Sequence, residues 1–137
     1  MILGSLAALL GCFVLATSLV LEGAFSDMCR NTLLTEYRSP ERTMKLVVFE
    51  RDCGATTDFS TQASLLAATK ELPPELGNLF IADKNHGAAP AGAGGGPVLG
   101  VRWEGPRALV LEHHAQARIF KAEKNLSGVL IRYTVVD

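Results

Sequence analysis

Beyond residue 27 the chain never sustains a helical repeat. Its apolar residues come in short runs, many of period two, cut by turn signals at close spacing. Met44 to Phe49 is β-branched and aromatic and apolar on both faces, which predicts a strand in the middle of a sheet. In the next run Thr61, Ala63, Leu65 and Ala67 share one face, and Gln62 and Ser64 the other. Further strands are predicted over Leu79 to Asp83, Val98 to Trp103, Ala108 to His114, Arg118 to Ala122 and Val129 to Val136. Leu33 to Tyr37 is compatible with a short strand or a helical turn. Ser39-Pro40-Glu41-Arg42, Glu71 to Glu75, Glu104 to Arg107 and Lys124 to Gly128 carry turn chemistry. The expected fold is all-β: a small antiparallel sandwich or half-barrel of roughly six to seven strands behind an N-terminal apolar helix.

Residues 1–26 read as a signal peptide or membrane anchor, and residues 27–137 as a single β domain. Met1 to Leu21 holds no charged side chain and is long enough to span a bilayer. Ala24-Phe25-Ser26 before Asp27 fits a small-x-small cleavage site, although no Lys or Arg precedes Arg30 to make a basic leader. Leu9-Leu10-Gly11-Cys12 has some lipobox character, but the apolar run continues past Cys12. Arg30, Arg38, Arg42 and Lys45 follow the apolar segment, and for an uncleaved anchor the positive-inside rule places the domain in the cytoplasm.

The cysteines favour the opposite side. With Cys12 set aside, Cys29 and Cys53 remain, a pair with a single connectivity. A disulfide between them closes a loop of about 25 residues and is worth about 3 kcal/mol on the chain-entropy model. Two buried free thiols are the alternative. A bridge suits a small domain in an oxidising compartment. The expected location is therefore outside the cytoplasm: periplasmic, or anchored in the inner membrane and facing the periplasm. The membrane is a partner through residues 1–21 if they stay uncleaved.

Charge narrows the partners. The chain has 13 basic and 14 acidic residues, and one of the acids is Glu22, so 13 and 13 remain from residue 27 onward. They are dispersed, which disfavours nucleic acid as a partner and leaves an unidentified protein or small molecule.

The densest polar run is Glu50 to Gln62, between two predicted strands. Within it Arg51, Asp52, Thr56, Thr57, Asp58, Ser60 and Gln62 form a candidate binding loop, because strand ends and loops are where function tends to sit. The competing reading is a structured connection. In it Cys53 is bridged to Cys29, Arg51 pairs with a carboxylate, and Thr and Asp side chains satisfy loop amides. Thiol catalysis by Cys53 needs a nearby imidazole, and no local motif ties it to His86, His113 or His114. Zinc spacing, a nucleophile elbow and a dinucleotide fingerprint are all missing. The Gly92 to Gly96 tract lacks the Gly-Lys-Ser/Thr and helix of a phosphate cradle, and is expected to be a flexible loop. No catalytic, cofactor-binding or metal residue is assigned.

Val47 to Thr57, with its Glu-Arg-Asp-Cys-Gly-Ala-Thr-Thr core, is followed by Phe59-Ser60-Thr61-Gln62-Ala63-Ser64 and Gly77 to Ala82. Together they resemble a family of small uncharacterised bacterial envelope proteins, over about residues 29–136. Trp103 to Leu111 and Gly128 to Tyr133 are similar too. The resemblance implies an exported or membrane-tethered β domain and no particular activity. The sequence favours a non-catalytic binding or structural module of the envelope. The alternatives are a thiol- or loop-dependent enzyme using the 52–62 loop, and an inner-membrane accessory protein anchored by residues 1–21.

Overall fold

The computed structural model describes residues 28–54 and 58–137. The expected leader or anchor, and Thr56 and Thr57 of the candidate loop, lie outside the described residues. Nine strands form among the described residues: β1 Arg30–Arg38, β2 Met44–Asp52, β3 Ser60–Ala67, β4 Phe80–Asp83, β5 Leu99–Gly105, β6 Ala108–His114, β7 Arg118–Ala122, β8 Asn125–Leu126 and β9 Val129–Val136. The described residues are all-β, with two sheets ordered β1-β2-β3-β4-β7 and β5-β6-β9-β8.

The two sheets share one core. Leu46 and Val48 of β2, Ala63 and Leu65 of β3, and Phe80 and Ala82 of β4 meet Leu109 and Leu111 of β6 and Val129 and Ile131 of β9. These are the alternate residues of each strand, as the period of two requires. The other face of β2 is covered as well: Val47 and Phe49 pack with Leu66 beneath Leu72, on the segment that follows β3. That is why β2 is apolar on both sides. Trp103, on β5, donates its indole N–H to the carbonyl of Tyr37, on β1, at 2.9 Å, which ties the two sheets along one side.

Four expectations need correction. β1 is a nine-residue strand, not a short strand or helical turn. A register shift between Leu33 and Thr35 bulges it, and Leu34 packs against the core. Lys124 to Gly128, read as a turn, contains the two-residue strand β8, which together with β1 takes the strand count past six to seven. Nor is the fold wholly antiparallel, because β6 pairs with β9 in parallel from Ala108↔Leu130 to His114↔Val136. The cause is topological. After β6 the chain leaves its sheet to place β7 at the edge of the other one, returns as the edge strand β8, and turns back as β9, which runs with β6.

The fourth correction is the glycine tract, which is folded rather than loose. Gly92 N–H donates to the Gly96 carbonyl at 2.6 Å, and Gly95 N–H to the Gly92 carbonyl at 3.1 Å. Ala91 bridges Pro97, whose carbonyl accepts from the Thr61 hydroxyl at 2.6 Å. A Cβ on Gly96 would lie 2.5 Å from Thr61 Oγ1 and 2.7 Å from its backbone nitrogen. The small residues thus allow the loop to lie flat on the start of β3. The entropy cost of ordering glycine is offset by that close approach. The Ser39 turn forms as expected, with Arg42 N–H donating to Ser39 O at 2.9 Å and Met44 N–H to Ser39 Oγ at 3.2 Å.

Cys29, just before β1, is joined to Cys53, just after β2, in a disulfide. Arg30↔Asp52 is the adjacent pair of the β1–β2 ladder, so the bridge staples the open end of that pairing. Cys29→Ser with Cys53→Ser should lower unfolding stability by about 3 kcal/mol, read as a lower urea midpoint, and reduction of the wild type should match it. Gly96→Ala should cost about 1–3 kcal/mol by forcing the loop off β3. Gly105→Ala, where nothing lies within 4 Å of the added Cβ, is the near-neutral control in the same denaturation assay.

Candidate functional site

Residues directly opposite one another in an antiparallel ladder share a face. Asn31 is opposite Arg51, Arg51 opposite Ser60, Ser60 opposite Asp83, and Asp83 opposite Arg118. One polar row therefore crosses the whole five-stranded sheet on the face turned away from the shared core. Two members of the predicted binding loop, Arg51 and Ser60, fall in it, and Gln62 stands one pair further along the same face of β3.

The β1–β2 half of the row is structural. Arg51 is 9% exposed and donates from Nη1 to Asn31 Oδ1 at 2.8 Å. The Asn31 amide donates onward to the carbonyls of Pro73, at 3.1 Å, and Glu75, at 2.7 Å. Gln62 donates to Ser60 Oγ at 2.9 Å and accepts from Gly77 N–H at 2.7 Å. Arg51 and Gln62 thus hold the segment after β3 down on the sheet. The expected carboxylate partner of Arg51 is not found: no ion pair to it forms among the described residues, and its buried Nε makes no hydrogen bond. Asn31 fills that place because it is the residue in register. Asp52 turns elsewhere. Its Oδ1 accepts from Gly54 N–H at 2.9 Å, and it lines an open cleft of about 630 Å³ beside the disulfide, with Asn31, Leu72 and Pro74.

The β4–β7 half opens into a second cleft, of about 640 Å³, lined by Asp58, Ser60, Ile81, Asp83, His86, Arg118 and Phe120. Its floor is the Asp83–Arg118 pair. Arg118 Nε lies 3.1 and 3.2 Å from the two Asp83 oxygens, and Nη2 also donates to Oδ2. The guanidinium carbon sits 5.2 Å from the centre of the Phe120 ring. Phe120 reaches this position because β7 carries an extra residue there: Ile81 pairs with Lys121 but Ala82 with Ile119. At the rim Asp58 lies 3.7 Å from Lys84 Nζ.

The loop after β4 is built on Asp83. Asn85 N–H donates to Asp83 Oδ1 at 2.9 Å, and Asn85, His86 and Gly87 follow with φ of 53°, 56° and 89°. Asn and His tolerate the left-handed region better than most residues, and Gly freely. The loop turns His86 outward at the cleft rim. Burial raises the Asp83 carboxyl pKa, but the Arg118 hydrogen bonds, the Asn85 amide and the Arg118 and His86 charges outweigh it and hold the group below its ordinary value. Asp83, in turn, lifts the Arg118 guanidinium above its own.

The sequence reading missed Asp83, Lys84, Arg118 and Phe120 as site residues, and considered His86 only as a partner for Cys53. A usable signal was present in Asp83-Lys84-Asn85-His86-Gly87, where an Asp two residues before Asn and four before Gly has the look of an Asx turn. Nothing in the sequence marks the bulge that brings Phe120 to Arg118. The thiol chemistry finds no support in this state, because Cys53 is bonded to Cys29. His113 lies with the rings of Phe80 and Tyr133, and His114 Nδ1 accepts from Gln116 N–H at 3.0 Å. Among the described residues no group of three His, Cys, Asp or Glu side chains could hold a metal ion.

Comparison with protein-family models, with curated proteins and with solved structures finds no match to the chain.

The Asp83 linkage has a defined sign. Its folded pKa is depressed below the ordinary value of 3.8, so its contribution is complete above that pH and is lost as pH falls through the lower folded value. Asp83→Asn should cost about 1 kcal/mol at pH 6, a modest figure because solvent screens the half-exposed Arg118. The gap between variant and wild type, followed by urea unfolding, should narrow below about pH 4.

Proposed function

We propose that this chain is an exported, non-catalytic binding module of the bacterial envelope: a β-sandwich that takes its ligand in the Arg118–Phe120 cleft. The observation that carries the reading is the clamped guanidinium. Arg118 is fixed by an almost fully buried carboxylate and stacked on an exposed aromatic ring, at the floor of a cleft of ordinary ligand size. A surface Arg held in one geometry has already lost the side-chain entropy that binding would otherwise remove.

Several features support export. The disulfide suits an oxidising compartment, and residues 1–26 read as a signal or anchor. The Glu-Arg-Asp-Cys-Gly-Ala-Thr-Thr run is that of the envelope family the chain resembles, and its Cys53 is one of the bridged residues. A thiol enzyme is the weaker reading, since Cys53 cannot act while bridged. Fractionation of cells with thiols trapped at lysis tests both points. The expected result is protein in the envelope or periplasm with Cys29 and Cys53 unreactive, and with an N-terminus at Asp27 or an intact anchor. A cytoplasmic protein with a reactive Cys53 would sink the reading and favour the thiol enzyme.

A further inference from the structure

We propose that the Arg118–Phe120 cleft binds a small organic monocarboxylate with an apolar body. This rests on the reading of the cleft as the ligand site and names what it takes.

The charge inventory selects the ligand's charge. Two cations, Lys84 and Arg118, stand beside two carboxylates, Asp58 and Asp83, with His86 at the rim. These groups are not equivalent. Asp83 is buried, and its oxygens are occupied by Arg118 and by the Asn85 amide. It therefore orients Arg118 and is closed to a ligand. Arg118 is only partly spent: Nε and Nη2 face Asp83, while Nη1 has no hydrogen-bond partner among the described residues. Its side chain is 45% exposed. The group that remains to receive a ligand is thus the outer N–H edge of a guanidinium in fixed orientation, which suits a carboxylate.

One negative charge fits better than two. Asp58 at the mouth repels anions, and its charge reaches Arg118, on which it acts in the direction of a raised pKa. A phosphate dianion would meet that repulsion twice over with no surplus of cations to balance it. The walls select the rest of the ligand. Ile81 and the exposed Phe120 ring are apolar surface beside the guanidinium. A carboxylate attached to an aromatic or branched aliphatic body can pair with Arg118 and cover Phe120 together.

The test uses the protein as recovered from cells and four probes of matched size or charge: phenylacetate, its neutral amide phenylacetamide, the cation phenethylamine, and inorganic phosphate. Backbone amide NMR shifts locate binding and titration gives affinity. Phenylacetate should saturate shifts at Ile81, His86 and Phe120, and bind about tenfold more tightly than phenylacetamide. Asp58→Asn should tighten phenylacetate about threefold, a gain that shrinks with added salt. Arg118→Lys, which keeps the charge on Asp83 but loses the fork, should weaken it about tenfold.

Equal or tighter binding of the amide, the amine or phosphate at the same amides would overturn the carboxylate assignment and leave the cleft as the ligand site. Unchanged phenylacetate affinity in Arg118→Lys, with the wild-type amide spectrum retained, would overturn it too. If none of the four probes moves the cleft amides, the cleft reading falls with it.

Discussion

Strand β2 has no solvent face, and most of the molecule is arranged to make that possible. Leu46 and Val48 point into the core between the sheets, while Val47 and Phe49 point the other way and are equally inaccessible. A strand apolar on both sides needs a cover on each. The second sheet is one cover. The other is the run from Ala68 to Asn78, which crosses the outer face and brings Leu72 over Phe49 and Leu66. Burial of two such side chains is worth about 3–6 kcal/mol. That offsets part of the entropy cost of ordering the loop, a cost its prolines reduce.

The cover explains where a site can exist. It is fastened to β1, β2 and β3 through Asn31, Arg51 and Gln62, and Asn78 caps β3 by pairing its side chain with both the N–H and the C=O of Leu65, at 2.8 and 3.0 Å. Gly77 presses so close that a Cβ there would stand 2.8 Å from the Ala63 carbonyl. At β4 the chain rejoins the sheet, and the cover ends. Among the described residues nothing covers the outer face over β4 and β7, and the row of polar residues that lies sealed under the loop at Arg51 emerges as a cleft at Arg118. Site and scaffold are two halves of one register.

The sequence makes the covered half easier to read than the open half. Period two, the double-faced run at Met44 to Phe49 and the turn at Ser39 are local signals, and the strands and the turn sit where those signals put them. The cysteine pair is legible because only one pairing exists once Cys12 is set aside. What escapes is non-local. The parallel β6–β9 pairing depends on β7 joining the far sheet, a choice made by the core and not by β7 itself. The folding of the Gly92 to Gly96 tract depends on Thr61, whose hydroxyl waits on β3 for the Pro97 carbonyl. The residues of the candidate loop scatter. Asp58 and Ser60 reach the cleft, Arg51 and Gln62 go under the cover, and Asp52 faces the disulfide. Strand residues adjacent in sequence point to opposite faces, so a polar cluster in sequence is seldom one in space.

Arg51 and Arg118 show how one row can hold a charge in two ways. Each sits in register with a polar partner on the neighbouring strand, but Arg51 has an amide for a partner and Arg118 a carboxylate. A buried guanidinium without a counter-ion is costly, by several kcal/mol before its hydrogen bonds are counted. Leu or Met at Arg51 would remove that cost, yet it would also release Asn31, whose amide is fixed at one end by Arg51 and at the other by the carbonyls of Pro73 and Glu75. The charge thus donates to the amide that clasps the cover. At Arg118 no cover lies over the row among the described residues. Asp83 neutralises the charge from below, and the guanidinium side chain stays about half exposed.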